Sequence, residues 1–169
     1  MMREVEWNGD KMIKVLFICH GNICRSPMAE YLFKKMVKDN HLEDKFIIES
    51  KATSSEEIGN GIHYGTKKIL NKYNIDSSKH RARRINKSDY EYFDFLICMD
   101  DKNVYNCQKV FNDVDGKVRL LLEYAGIKRN ISDPWYTGDF ETTDEDIMIG
   151  LNGLKKKIKE KYGITFNIN

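Results

Sequence analysis

Along the chain, short apolar runs rich in branched side chains alternate with segments whose apolar residues recur every three or four positions. The runs are residues 13–18, 46–50, 93–99 and 118–122, and the periodic segments are 27–37, 65–73, 102–111 and 143–161. A run that is apolar at almost every position reads as a strand buried on both faces. The periodic segments carry one apolar stripe each, as Met28, Leu32 and Met36, or Ile147, Leu151, Leu154 and Ile158, show. Strands that alternate with helices are joined by right-handed crossovers, which build a parallel sheet covered on both faces. The expected fold class is therefore α/β: three layers, with a four-stranded parallel sheet flanked by helices. Ligands of such sheets bind outside the carboxyl ends of the strands.

The 169 residues suffice for one domain with a full core, and residues 12–165 are expected to form it. Residues 1–11, MMREVEWNGDK, have no period and precede a second methionine at Met12. They are expected to lie outside the fold, and the polar tail from Thr165 is expected to fray. Lys and Arg number 28 against 26 Asp and Glu, a net charge of +2 that calls for no nucleic-acid partner. The four cysteines are too few and too scattered for a disulfide scaffold, and they suit a reducing compartment. The chain shows no signal-peptide pattern and no apolar stretch near the ~18 residues that a membrane span needs. The expectation is a cytoplasmic monomer without a membrane partner.

The first strand runs into VLFICHGNICRSP, residues 15–27, where an apolar run stops at Cys19 and the chain resumes as a helix near Ser26-Pro27. Ser26 reads as a hydroxyl N-cap, followed by a proline whose missing N–H costs nothing there. Gly21 is expected to supply the positive φ that turns the loop inward. Such a loop, closing on a helix N-terminus, aims backbone N–H groups at one point and makes an anion site. Arg25 adds a planar fork suited to two oxygens of a phosphate-like group. A cysteine facing these groups is expected to be largely thiolate, placed to attack phosphorus, with Ser26 bonded to the sulfur. Alternatively, Cys19 is a buried structural cysteine beside a surface arginine.

VLFICHGNICRSPMAE resembles the active-site loop of low-molecular-weight protein tyrosine phosphatases. Similar segments are SKATSSEEIGN (50–60), HRAR (80–83), FDFLICMD (93–100) and SDPW (132–135). The resemblance implies a phosphocysteine intermediate on Cys19, phosphate held by Arg25 and by the loop His20, Gly21, Asn22, Ile23, Cys24 and Ser26, and Asp133 as general acid and then base. It implies no metal and no cofactor. Its partner would be a tyrosine-phosphorylated protein from a cognate tyrosine kinase. Asp133 precedes a proline, which biases it to an extended loop conformation, beside Trp135 and Tyr136 as pocket wall; by itself it reads as an Asx-turn. Asn22, Ser50 and His80 match positions that brace the loop by hydrogen bonds, although His80 alone, among Lys79, Arg81, Arg83 and Arg84, reads as a surface histidine. The family is also similar in pairing the cysteines at positions 19 and 24, which implies a protective role for Cys24.

Two departures bear on substrate. The family often places an aromatic residue before Glu-Ile-Gly, where this chain has Glu56, and Gly61-Ile62-His63 replaces the usual Pro-Pro-Asp. Rival readings on the same fold are a protein-arginine phosphatase, which tends to have threonine at the position of Ile23, and an arsenate reductase. The latter would need Cys98 and Cys107 as a disulfide relay ending in an exposed thiol.

Overall fold

The computed structural model describes residues 11–168, so what is expected of residues 1–11 falls outside the described residues except at Lys11. In chain order the elements are β1 (Ile13–Cys19), α1 (Arg25–Asp39), β2 (Phe46–Ala52), α2 (Tyr64–Lys72), α3 (Asp89–Tyr92), β3 (Phe95–Cys98), α4 (Asp101–Val110), β4 (Val118–Leu120), α5 (Pro134–Thr137) and α6 (Phe140–Tyr162). Every strand pair is parallel and the order across the sheet is β2-β1-β3-β4. The expected α/β sandwich is what the chain forms.

β1 sits in the middle because both of its faces are apolar. Ile13 to Cys19 pair in register with Phe46 to Ala52 on one side, and Val15 to Ile18 with Phe95 to Cys98 on the other. Its odd-numbered residues Val15 and Phe17 join the core beneath α1 and α6, with Met28, Phe33, Ile147 and Leu151. Leu16 and Ile18 point to the opposite face and meet Tyr90, Phe93, Cys107 and Phe111 around α3 and α4. Burial of one such side chain contributes about 1.5–3 kcal/mol. α6 lies close on the 3₁₀ turn Leu121–Ala125, and a Cβ at Gly153 would fall 2.4 Å from the Tyr124 backbone.

Several boundaries differ from the periodic reading. β3 starts only at Phe95, because the Phe93 N–H closes α3 on the Asp89 carbonyl and the Asp94 carboxylate accepts the Lys14 N–H. β4 stops at Leu120, where the chain tightens into the 3₁₀ turn. The tail is fastened rather than frayed: Phe166 lies against Phe33 and Phe46, and the Asn40 side chain bonds the backbone of Asn167 and Ile168. No helix among the described residues is long and apolar enough to cross a membrane.

Candidate active site

Cys19 ends β1 at the carboxyl edge of the sheet, and the loop that follows closes on the first turn of α1. Two local details differ from the sequence reading. α1 begins at Arg25 with Cys24 in the N-cap position, and Ser26 lies inside the first turn rather than capping it. Its hydroxyl is engaged elsewhere, 3.0 Å from Cys19 Sγ, and its N–H points at the same sulfur at 3.4 Å. The residue with positive φ is Asn22 (61°), not Gly21. Asparagine is among the few side chains that tolerate this region. Gly21 matters instead for close approach, since a Cβ there would stand 3.3 Å from Glu57 Cγ.

The strain at Asn22 is held by four hydrogen bonds. Asn22 Oδ1 accepts the Arg83 N–H (3.1 Å), which fixes the amide so that Nδ2 faces Ser26 and Ser50, each at 2.8 Å. His80 Nε2–H donates to the Asn22 carbonyl at 2.7 Å; the acceptor has no hydrogen to give, so Nε2 carries the proton. Burial holds His80 below the usual histidine value. Behind Ser50 stands Glu30, which accepts the Ser50 hydroxyl (2.6 Å) and pairs with Lys34 (2.5 Å). Donor direction then runs one way along the chain. Ser50 gives its hydrogen to Glu30, Asn22 gives to both serines, and the hydrogen of Ser26 is left for the Cys19 sulfur. Ser50 and His80 are therefore away from the cavity but bonded to the loop that shapes it.

Arg25 is 2 % exposed. Its Nη1 donates to Asp100 Oδ2 (2.7 Å) and to the Ile131 carbonyl (2.9 Å), and Nη2 to Asp133 Oδ2 (3.3 Å). Its Nε finds no acceptor among the described residues. Burial works against the guanidinium charge, but Cys19, Asp100 and Asp133 outweigh it and hold Arg25 protonated above its ordinary value. Asp100 also accepts the Asn103 N–H and so caps α4, which makes it a fixed anchor for the guanidinium. Asp133 is extended as its proline requires, and its Oδ1 caps α5 by accepting the Trp135 N–H (3.0 Å). The Asx-turn and the position facing Arg25 are thus one conformation.

Cys19, Arg25 and, between them, His20, Gly21, Ile23 and Cys24 line a pocket of about 510 Å³, mouth included. Around its mouth stand Glu56, Glu57, Asp133, Trp135 and Tyr136. His20 Nε2 lies 2.9 Å from Glu56 Oε2, joining the loop to the segment after β2. Burial pushes the Cys24 thiol well up, with Cys19 and Asp133 adding to the effect, so Cys24 stays protonated.

The family model for low molecular weight phosphotyrosine protein phosphatase matches residues 14–163. The chain belongs to this family. It is 42% identical over 137 residues to the low molecular weight phosphotyrosine protein phosphatase of Gallus gallus, covering 78% of this chain and 86% of the relative. Among solved structures, YfkJ from Bacillus subtilis superposes with a TM-score of 0.86 at 34% identity, covering 89% of this chain and 97% of that one. A low molecular weight protein tyrosine phosphatase from Streptococcus pyogenes gives 0.76 at 40% identity, with coverage of 87% and 93%.

Within that family frame, three participants escaped the sequence reading. Asp100 was visible only as the last residue of FDFLICMD, Glu30 as one acid on a helix, and Glu57 as the first residue of Glu-Ile-Gly. None carries a local signature, because each acts through a partner at least twenty residues away. The thiols of Cys98 and Cys107 lie 3.7 Å apart, both fully buried. Neither reaches the surface as a relay to an outside reductant would require.

Proposed function

We propose that the protein hydrolyses phosphotyrosine in proteins, and small aryl phosphates, in two steps through Cys19. The observation that carries this reading is that one pocket is lined by Cys19, whose sulfur meets the Ser26 N–H and hydroxyl, and by Arg25 and Asp133, which touch each other. In the first step the Cys19 sulfur attacks phosphorus, and the S–P bond forms as the P–O bond to the phenol breaks. Asp133 gives the phenolic oxygen its proton. Arg25 and the loop N–H groups bind the three equatorial oxygens as charge spreads over them. In the second step Asp133 takes a proton from water, water attacks phosphorus, and the thiolate leaves toward the Ser26 hydroxyl.

The reaction class needs no cofactor, and its substrate comes from a tyrosine kinase. Monomeric action in a reducing compartment suits a nucleophile that must remain a free thiol. Ile23 lines the pocket without a hydroxyl to meet a guanidinium phosphate, which favours an aryl ester. The test is turnover of matched phosphotyrosine, phosphoarginine and phosphoserine peptides. Phosphotyrosine is expected to be hydrolysed with the highest kcat/KM, and a preference for phosphoarginine would overturn the reading.

A further inference from the structure

His63 is where the chain departs from its family's Pro-Pro-Asp pattern, and it touches three elements at once. Its N–H donates to the Ile23 carbonyl in the phosphate-binding loop (2.9 Å). Its Nδ1 accepts the Gly65 N–H (3.0 Å) and so caps α2. An accepting Nδ1 places the ring proton on Nε2. The ring stacks on Phe140 at the start of α6, with centroids 5.1 Å apart and planes at 18°. Phe140 can come this close only because position 65 is glycine: a Cβ there would fall 2.5 Å from its ring. The His63 ring also meets Trp135 edge to face, at 5.6 Å and 77°.

Trp135 belongs to α5, the four-residue turn that Asp133 caps, and its N–H is bonded to Asp133 Oδ1. Trp135 is 57% exposed. The other Asp133 oxygen has only the long 3.3 Å contact with Arg25. So the place of the carboxyl in the pocket that Cys19 also lines depends on how firmly α5 is held.

We propose that His63 is a positioning residue for the proton donor: its ring, in contact with both Phe140 and Trp135, holds α5 and therefore Asp133 at the pocket that the phosphate loop lines. This rests on the reading of Asp133 as the acid. The two jobs of His63 can be separated by substitution. His63→Asn keeps a capping acceptor and removes the ring. His63→Phe keeps a ring and removes the acceptor.

The experiment compares kcat/KM for nitrophenyl phosphate, whose leaving group needs little proton assistance, with phenyl phosphate, whose leaving group needs it. His63→Asn is expected to lose roughly three- to tenfold more on phenyl than on nitrophenyl phosphate, the scale of one aromatic contact, whatever the accompanying change in Tm. His63→Phe is expected to keep the wild-type ratio between the two substrates and to melt lower. Should His63→Asn not fold, Phe140→Leu withdraws the stacked ring from behind and is expected to shift the ratio in the same direction. Asp133→Asn, measured alongside, tests the reading underneath: a ratio unchanged there removes Asp133 as the acid. A large shift in Asp133→Asn with none in the folded ring-removing variant, or with equal shifts in His63→Asn and His63→Phe, overturns the role of His63 alone.

Discussion

Glu56 brings a carboxylate to a mouth where the family often places an aromatic ring, and His20 Nε2 stands 2.9 Å from it. Both side chains are well exposed, so the pair is screened and worth little to stability. Its effect falls on substrate, by withholding apolar contact from the phenyl ring. Glu56→Trp is expected to lower KM for aryl phosphates about three- to tenfold, the scale of one aromatic contact. An unchanged or higher KM would contradict that view of the wall. Cys24 poses a different question, since burial keeps its thiol protonated near Cys19. Peroxide converts a Cys19 thiolate to sulfenic acid and releases hydroxide; condensation with the Cys24 thiol expels water and leaves a disulfide that added thiols reduce. Wild type is therefore expected to recover more activity than Cys24→Ser after peroxide and then dithiol. Equal recovery would show that Cys24 does not protect.

At the scale of elements, the strand–loop–helix joint at β1 and α1 was legible because its periodicity, proline and glycine are all local signs. What the sequence hid was which residue does which local job. Ser26 looks like a cap, but the sulfur and Asn22 claim its hydroxyl; Asn22 takes the strained backbone conformation that Gly21 was expected to take. The end of β3 was hidden for another reason, as Asp100 matters through Arg25, seventy-five positions away, and no period links them. Its two roles predict two outcomes. Asp100→Asn keeps an acceptor for the α4 N-terminus but sets an N–H against Arg25, so kcat/KM is expected to fall about 10- to 100-fold with little change in Tm. Asp100→Ala should lose the same activity and about 1 kcal/mol more stability through the missing cap. Urea unfolding and steady-state kinetics check both, and equal stabilities with intact activity would contradict the double role.

For the whole molecule, the sheet collects at one edge what the chain spreads over more than a hundred residues, and loop bracing is tied to global stability at His80. Burial disfavours the imidazolium, and the hydrogen bond to the Asn22 carbonyl only partly opposes it, so the folded protein refuses a proton that the unfolded chain accepts. This contribution is neutral above the ordinary value of 6.5, turns destabilising as pH falls through it, and stops growing below the folded value. His80→Gln, which retains a donor for Asn22, is expected to lose less stability than wild type as pH falls through 6.5; parallel losses would contradict the assignment. The central claim is that phosphotyrosine is hydrolysed through a phosphoryl group carried on Cys19. Its most direct test is rapid mixing with a phosphotyrosine peptide, acid quench, and mass spectrometry of the digested protein. The account predicts a phosphoryl group on the peptide containing Cys19, formed and lost as fast as turnover requires and absent from Cys19→Ser, which should be inactive. Turnover without a phosphorylated protein, or a phosphoryl group on any other residue, would contradict it.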